Sequence, residues 1–439
     1  MLKKITSLLL AAFLIISTSS CGSMVDGNNS GNGSYSGSNQ PATATAPPPS
    51  ATVSAAASAI PTIAPTLTPT ATEETDPIKQ EMASMSVDEK IGQLVLVGLE
   101  GTTIQADAIE MMTTYHVGGF ILYKRNITDA SQTLALLNEL KKQNKKNPVP
   151  LWLSIDQEGG TVSRMPQDFV KIPSAQSIGS KNKRQYAYGI GEAIGAELYA
   201  LGFNMDFAPV LDINSNPDNP VIGNRAFGST AESVISSGIE TMKGIQAGHV
   251  VPVVKHFPGH GDTSVDSHLD LPVIDKSLKQ LEQFELLPFK EAIKQQAPAV
   301  MIGHLLIPAI DKQYPASLSK TIITGLLRDK LGFTGVVITD DMTMLGITKH
   351  FGIQEAAVKA VQAGNDIILV GHDAQQQIAV LKALKKAVKA GDISMQALDD
   401  SVYRIIRLKS SFTLKDELIT RVNVDAVNLQ IKKALNASK

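Results

Sequence analysis

From about Asp76 onward the chain alternates short apolar runs with longer segments whose apolar residues recur at helical spacing. The runs fall at residues 93–97, 118–122, 150–155, 204–209, 251–255, 299–302, 335–338 and 366–370. Between them, 129–143, 184–201, 231–247, 281–295, 321–331 and 354–363 carry the helical period, and 376–390 and 395–408 close the series. Each apolar run is nearly continuous, as in parallel strands buried on both faces. Eight such strands alternating with helices predict a (β/α)8 TIM-type barrel over 76–439. A doubly wound open sheet shares the periodicity, but no glycine-rich dinucleotide fingerprint follows the first strand. Ser86-Val87-Asp88-Glu89 has the spacing of a capping box ahead of that strand.

The first 75 residues lack this pattern. Lys3 and Lys4 precede an apolar run from Ile5 to Ile16, too short to span a bilayer and laid out like an export signal. Small residues follow up to Cys21, as at the cleavage site of a bacterial lipoprotein, although Thr18 stands where such signals carry an apolar residue. Residues 1–21 therefore predict a signal peptide and a lipid on Cys21, rather than an incidental signal-peptide cysteine. Cys21 is the chain's single cysteine, which excludes an internal disulfide and a CxxC site. Residues 22–75 are rich in Ser, Thr, Ala and Pro, a composition that cannot bury a core and reads as a disordered linker. The expected location is outside the cytoplasm, anchored to the outer face of the bacterial cytoplasmic membrane, extracellular or periplasmic.

Charge narrows the partners. Forty Lys and Arg against 42 Asp and Glu give a net charge of −2 and no electrostatic reason to bind nucleic acid. The pattern says nothing of oligomeric state.

Polar residues gather where the strands end, and in a (β/α)8 barrel the loops at those ends build the active site. The third strand ends in Asp156-Gln157-Glu158-Gly159-Gly160, with Arg164 close behind. The fourth ends in Asp212, with Arg225 beyond a long loop; the fifth runs into Lys255-His256-Phe257-Pro258-Gly259-His260-Gly261-Asp262-Thr263 and then Asp266-Ser267-His268. The sixth ends at His304 and the seventh at Thr339-Asp340-Asp341-Met342. A carboxylate at Asp340 suits attack on an anomeric carbon, forming a glycosyl ester. The bland alternative is that Asp340 and Asp341 cap the next helix. In the histidine-rich loop, Asp266 and His268 suit acid/base chemistry, since an imidazole titrates near neutral pH. A metal held by His256, His260, His268 and Asp262 or Asp266 is the competing reading, without an HExxH-type spacing to support it. Asp156, Arg164, Arg225, Lys255 and His256 are residue types that recognise vicinal hydroxyls.

These motifs resemble those of glycoside hydrolase family 3, in its bacterial β-N-acetylglucosaminidase (β-hexosaminidase) branch, and the resemblance runs from Asp76 to Arg407. It rests on Ile155 to Gly160, Asn219 to Gly228, and Lys255 to Thr263 followed by Asp266-Ser267-His268. The resemblance implies Asp340 as nucleophile, His268 as acid/base and Asp266 as its partner. It implies sugar contacts from Asp156, Arg164, Arg225, Lys255 and His256, no cofactor, and a retaining reaction on N-acetylglucosamine-containing glycans such as peptidoglycan. Some relatives are argued to use phosphate as acceptor, so a phosphorylase is the second implied reading, and a β-glucosidase the third. A sugar-binding lipoprotein is the non-enzymatic alternative. About 30 residues follow the last barrel helix, too few for the sandwich domain many members carry, so the chain resembles the single-domain lipoprotein form. Thr161 stands where close relatives lead one to expect a basic residue.

Overall fold

The computed structural model describes residues 76–267 and 269–438; the signal segment, Cys21 and the linker lie outside them. Eight strands form one parallel sheet: β1 (Val95–Gly98), β2 (Gly119–Leu122), β3 (Trp152–Ile155), β4 (Met205–Asp206), β5 (Val251–Phe257), β6 (Ala299–Ile302), β7 (Val336–Thr339) and β8 (Ile368–Val370). They pair in the order β7-β6-β5-β4-β3-β2-β1-β8. A parallel bridge between Ile338 and Ile367, with Thr339 N–H donating to Ile367 C=O at 3.0 Å, joins the two ends. The result is the expected (β/α)8 barrel. Its strand residues are buried throughout, because each faces either the barrel interior or the helical layer.

Local signals set most helix ends. Ser86 accepts from Glu89 N–H at 3.2 Å while Glu89 accepts from Ser86 N–H at 2.7 Å, so the capping box starts a helix, Val87–Gln93. That helix takes Gln93 and delays the first strand to Val95. The single helix expected over 281–295 is two, Leu278–Gln283 and Leu287–Lys294. Pro288 explains the break: its ring would clash with the carbonyl of Phe284, and Phe284 leaves helical geometry at φ −142°. The sequence pattern placed Lys255 at the end of the fifth strand, whereas β5 continues to Phe257 and keeps Lys255 inside the barrel.

The residues beyond the last barrel helix return to the barrel. Asp416 accepts from Asn144 Nδ2 at 2.7 Å, and Ile419 exchanges hydrogen bonds with Asn138. Helix Val424–Asn436 then packs on Arg184–Leu201 and caps Val170 N–H through Asn428 at 2.7 Å. Among the described residues no helix is long and apolar enough to cross a membrane.

One buried cluster fastens the closure. Asp366, fully buried just ahead of β8, pairs with Arg328 at 2.7 Å and Arg404 at 2.8 Å and accepts from Val337 N–H at 2.9 Å. Removing the charge from such a group leaves two guanidinium groups without their partner, which costs roughly 3 kcal/mol. Asp366→Asn is expected to lower the unfolding free energy by that amount, read as a lower urea midpoint with an unchanged denaturant slope. A midpoint equal to wild type would show that closure does not depend on this cluster.

Candidate active site

The site is built from strand ends inward. Asp156 follows β3 and Lys255 lies within β5, so the barrel itself brings them to 2.6 Å. Lys255, whose side chain is 2% exposed, also meets Glu158 at 2.7 Å. Arg225, delivered by a tight turn at Gly223–Arg225, takes Glu158 in a two-pronged grip at 2.9 and 2.8 Å. Burial alone would raise the Glu158 carboxyl, but Arg225 and Lys255 outweigh it and hold it well below the usual range. Burial would likewise lower Lys255, yet Asp156 and Glu158 raise it, so the ammonium stays charged.

His256 is fixed from below. Its Nδ1 lies 2.6 Å from Asp212 and its Nε2 lies 3.4 Å from Arg225, which only donates, so Nε2 accepts and Nδ1–H donates to Asp212. Asp212 also accepts the N–H of His256 at 3.2 Å and of His260 at 2.7 Å. Burial pulls Asp212 upward, but His256 and His260 more than offset it and its carboxyl sits below the ordinary value. His260 is different: burial and the neighbouring His256 push it down to about 4, leaving it neutral at physiological pH. It bonds Thr263 at 2.8 Å and Ser267 at 3.2 Å. Among the described residues no three His, Cys, Asp or Glu side chains are grouped as a metal site requires.

After β3 the chain turns sharply at Gly159, with φ +82°, where a side chain would run into Pro173 C=O. This turn brings Arg164 back over the mouth, its N–H donating to Gln157 at 2.9 Å. The Arg164 Nε is buried and has no hydrogen-bond partner among the described residues.

Asp340 follows β7 directly, its N–H donating to Ile302 C=O of β6 at 2.9 Å. Asp340, Asp156, Arg164, Arg225, Lys255 and His256 thus line one cavity of about 320 Å³, with Glu158, Tyr123, Met344, Leu345 and His372 also in its wall. Asp266 lies on the loop beyond β5, next to Ser267, which lines the same cavity. Position 268 and Cys21 fall outside the described residues. The capping role considered for Asp340 and Asp341 does not hold: the next helix, Leu345–Thr348, has Met344 at its N-cap and no side-chain cap. Asp341 instead accepts from Tyr123 Oη at 3.1 Å and Gly371 N–H at 3.0 Å, tying β7 to β2 and β8.

Residues 86–408 match the Glycosyl hydrolase family 3 N terminal domain. The chain belongs to glycoside hydrolase family 3. It is 36% identical over 333 residues to beta-hexosaminidase A of Pseudoalteromonas piscicida, covering 70% of this chain and 56% of that one. It is 36% identical over 334 residues to beta-hexosaminidase LpqI of Mycobacterium tuberculosis, covering 74% and 84%. A family 3 β-N-acetylglucosaminidase structure from Paenibacillus superposes with a TM-score of 0.77 at 42% identity, covering 81% of this chain and 69% of that one. The chain therefore spans little more than half the length of the first of these relatives.

Several working parts of this family 3 site escaped the sequence reading. Glu158 and Asp212 were visible in their motifs but had no assigned task. Tyr123 and His372, stacked with ring centres 4.7 Å apart, carry no motif. Glu197 had a readable signal: with Ile190, Ile194 and Leu201 it shares one helix face, so an acid sits where apolar residues belong. It is fully buried and accepts from Gln157 Nε2 at 2.6 Å, while Gln157 N–H donates to buried Asp206 at 2.9 Å. The pair braces the amide that holds Arg164.

Burial raises the Glu197 carboxyl to about 8 from 4.5. A raised acid keeps its proton in the folded state while the unfolded chain loses it, so stability falls as pH rises between those two values. The loss from pH 5 to pH 8 is about 3 kcal/mol. Glu197→Gln is expected to remove this component, which denaturant midpoints of both proteins at pH 5 and pH 8 will measure. Parallel pH slopes in the two would contradict the assignment.

Proposed function

We propose that the chain is a retaining exo-β-N-acetylglucosaminidase that removes terminal β-linked N-acetylhexosamine from peptidoglycan-type glycans. The observation that carries this reading is the meeting of Asp340 with five sugar-recognition side chains in one cavity. Its volume lies near the small end of the ~300–1,000 Å³ found for small-molecule sites, which suits one terminal sugar better than the interior of a chain. The beta-hexosaminidase names of the relatives support the acetamido sugar.

In the first step the Asp340 carboxylate attacks the anomeric carbon. The bond to the leaving oxygen breaks, and that oxygen takes a proton from His268. In the second step His268 removes a proton from water, the water oxygen bonds to the anomeric carbon, and Asp340 is released. Asp266 supports the charged imidazole. Lys255, Arg225 and His256, already locked by Asp156, Glu158 and Asp212, present donors and acceptors to the hydroxyls without reorganising when sugar binds. The Arg164 Nε, without a hydrogen-bond partner among the described residues, offers one further donor.

The decisive assay is release of 4-nitrophenol from its β-N-acetylglucosaminide and its β-glucoside by the soluble domain, with and without phosphate. The acetamido sugar is expected to be preferred. Asp340→Ala is expected to lose at least about 1,000-fold in kcat, as removal of a covalent nucleophile does. A 5-fluoro glycosyl fluoride of the acetamido sugar should label Asp340 in wild type, detected by peptide mass. A sugar-1-phosphate product would make the enzyme a phosphorylase, and preference for the glucoside would overturn the hexosaminidase reading.

The chain is further proposed to act outside the cytoplasm, held by a lipid on Cys21 and spaced by the linker of residues 22–75. The support is the sequence of that segment. Labelled palmitate should enter the full-length protein in a bacterial host and be absent from Cys21→Ala. Equal labelling of both would remove the anchor from this account.

A further inference from the structure

The loop that bears Asp266 leaves β5 and reaches across the cavity toward the chain that follows Asp340. Its stem is well held. Gly261 packs against the backbone of Ile213, and Asp262 pairs with Lys276 at 2.8 Å. The outgoing side is held by Leu306 N–H donating to Pro272 C=O at 2.9 Å. Between these supports, Leu269 N–H and Asp270 N–H both return to Asp266 C=O, at 2.9 and 3.0 Å, so the chain turns back tightly after Asp266.

The turn touches the segment after the nucleophile at two places. Gly346 N–H donates to Ser267 C=O at 3.1 Å, and a side chain at 346 would stand 2.9 Å from that same oxygen. Asp270 meets His350 at 2.8 Å and Lys349 at 3.4 Å, one carboxylate oxygen to each. Gly346, Lys349 and His350 all follow Asp340 within ten residues, in and just beyond the short helix Leu345–Thr348. The His350 hydrogen bond is the chief reason the Asp270 carboxyl sits down at about 2, assisted by Leu271 N–H and Lys349. Asp270 is half exposed and is not among the residues lining the cavity that holds Asp340, so contact with substrate there does not account for it.

We infer that Asp270 and His350 form a latch that positions the acid/base loop relative to the nucleophile segment, and that Asp270 is a positioning residue of this enzyme. The inference rests on the proposed roles of Asp340, Asp266 and His268. The two steps of a retaining reaction need the acid/base within hydrogen-bond reach of an oxygen bound to the same carbon that Asp340 attacks. The stem fixes the loop to β5 and β6, whereas the latch and Gly346 tie its tip to the element that continues β7. Loosening the tip would weaken proton delivery while leaving the sugar floor of Lys255, Arg225 and His256 intact.

Proton delivery is read through the leaving group. A phenyl β-N-acetylglucosaminide needs protonation of its oxygen, whereas the 2,4-dinitrophenyl compound leaves with little help. Asp270→Asn and His350→Asn are each expected to lower kcat/KM for the phenyl substrate about tenfold and for the dinitrophenyl substrate less than about twofold, a difference set by general-acid assistance. The double variant should lose no more than either single one, because both remove the same contact. The exchanged pair Asp270→His with His350→Asp should recover part of the loss. Equal falls on both substrates, or additive losses in the double variant, would overturn the latch. Independently of turnover, amide hydrogen exchange in the peptide spanning 262–271 should rise at least about threefold in Asp270→Asn, with the barrel strands unchanged. Unchanged exchange there would overturn the latch too, whereas wild type inactive on both sugars with raised exchange in the variant would sink the proposed function and leave the latch standing.

Discussion

Lys255 lies in the barrel between two carboxylates, 2.6 Å from Asp156 and 2.7 Å from Glu158, and most of the site is arranged around that ammonium. An unpaired charge at this depth would be untenable, and even a paired one gains little net stability over apolar packing. The arrangement is therefore better understood as serving recognition than stability. Glu158 transmits the constraint to Arg225, and Arg225 transmits it to His256, whose far side is bound by Asp212. Three strand ends, those of β3, β4 and β5, are linked in this way through charged hydrogen bonds. Each of these side chains is held in place by its neighbours, so the sugar contacts proposed above would not have to order it.

The site divides into a floor and a rim with different mechanical character. The floor is carried by β3, β5 and the buried residues behind them, including the Glu197–Gln157–Asp206 chain on the helix side. The rim comes from loops: Arg164 on the turn after β3, and Asp266 and Ser267 on the loop after β5. A floor on strands and a rim on loops suit the two-step reaction proposed above. In that reaction the sugar ring stays in one place throughout, while the proposed acid/base serves a leaving group first and an incoming water second.

The barrel was legible because its signal is spread over eight apolar runs, and small errors at any one of them do not change the count. Asp340 and Lys255 were legible for a related reason: a charged residue closing or interrupting an apolar strand has few structural explanations. The break at Phe284 was missed because Pro288 sits within an otherwise good helical period, and the period was given more weight than the proline. Glu158 was missed because its task depends on Arg225, which lies 67 residues away and meets it only through the barrel's closure. Asp270 and His350, separated by 80 residues, are of the same kind. Pairing between distant loops leaves no local pattern, so sequence reasoning finds the members and not the pairs.

Asp340 and Asp341 are adjacent carboxylates at one strand end, and the mechanism proposed above gives attack on carbon to Asp340 alone. Asp341 accepts from Tyr123 Oη at 3.1 Å, Thr343 N–H at 3.0 Å, Thr343 Oγ1 at 2.8 Å and Gly371 N–H at 3.0 Å. With its lone pairs committed to these donors it is a poor nucleophile and a good brace, and two of the donors come from other chain segments. The backbone is held as firmly: Asp341 C=O accepts from His304 at 3.0 Å, and because a carbonyl cannot donate, the His304 proton lies on Nε2. The strand end is thereby fixed on both sides of Asp340. A carboxylate held by its backbone and aimed into the cavity meets the geometric demand of covalent attack, which a freely rotating chain end would not.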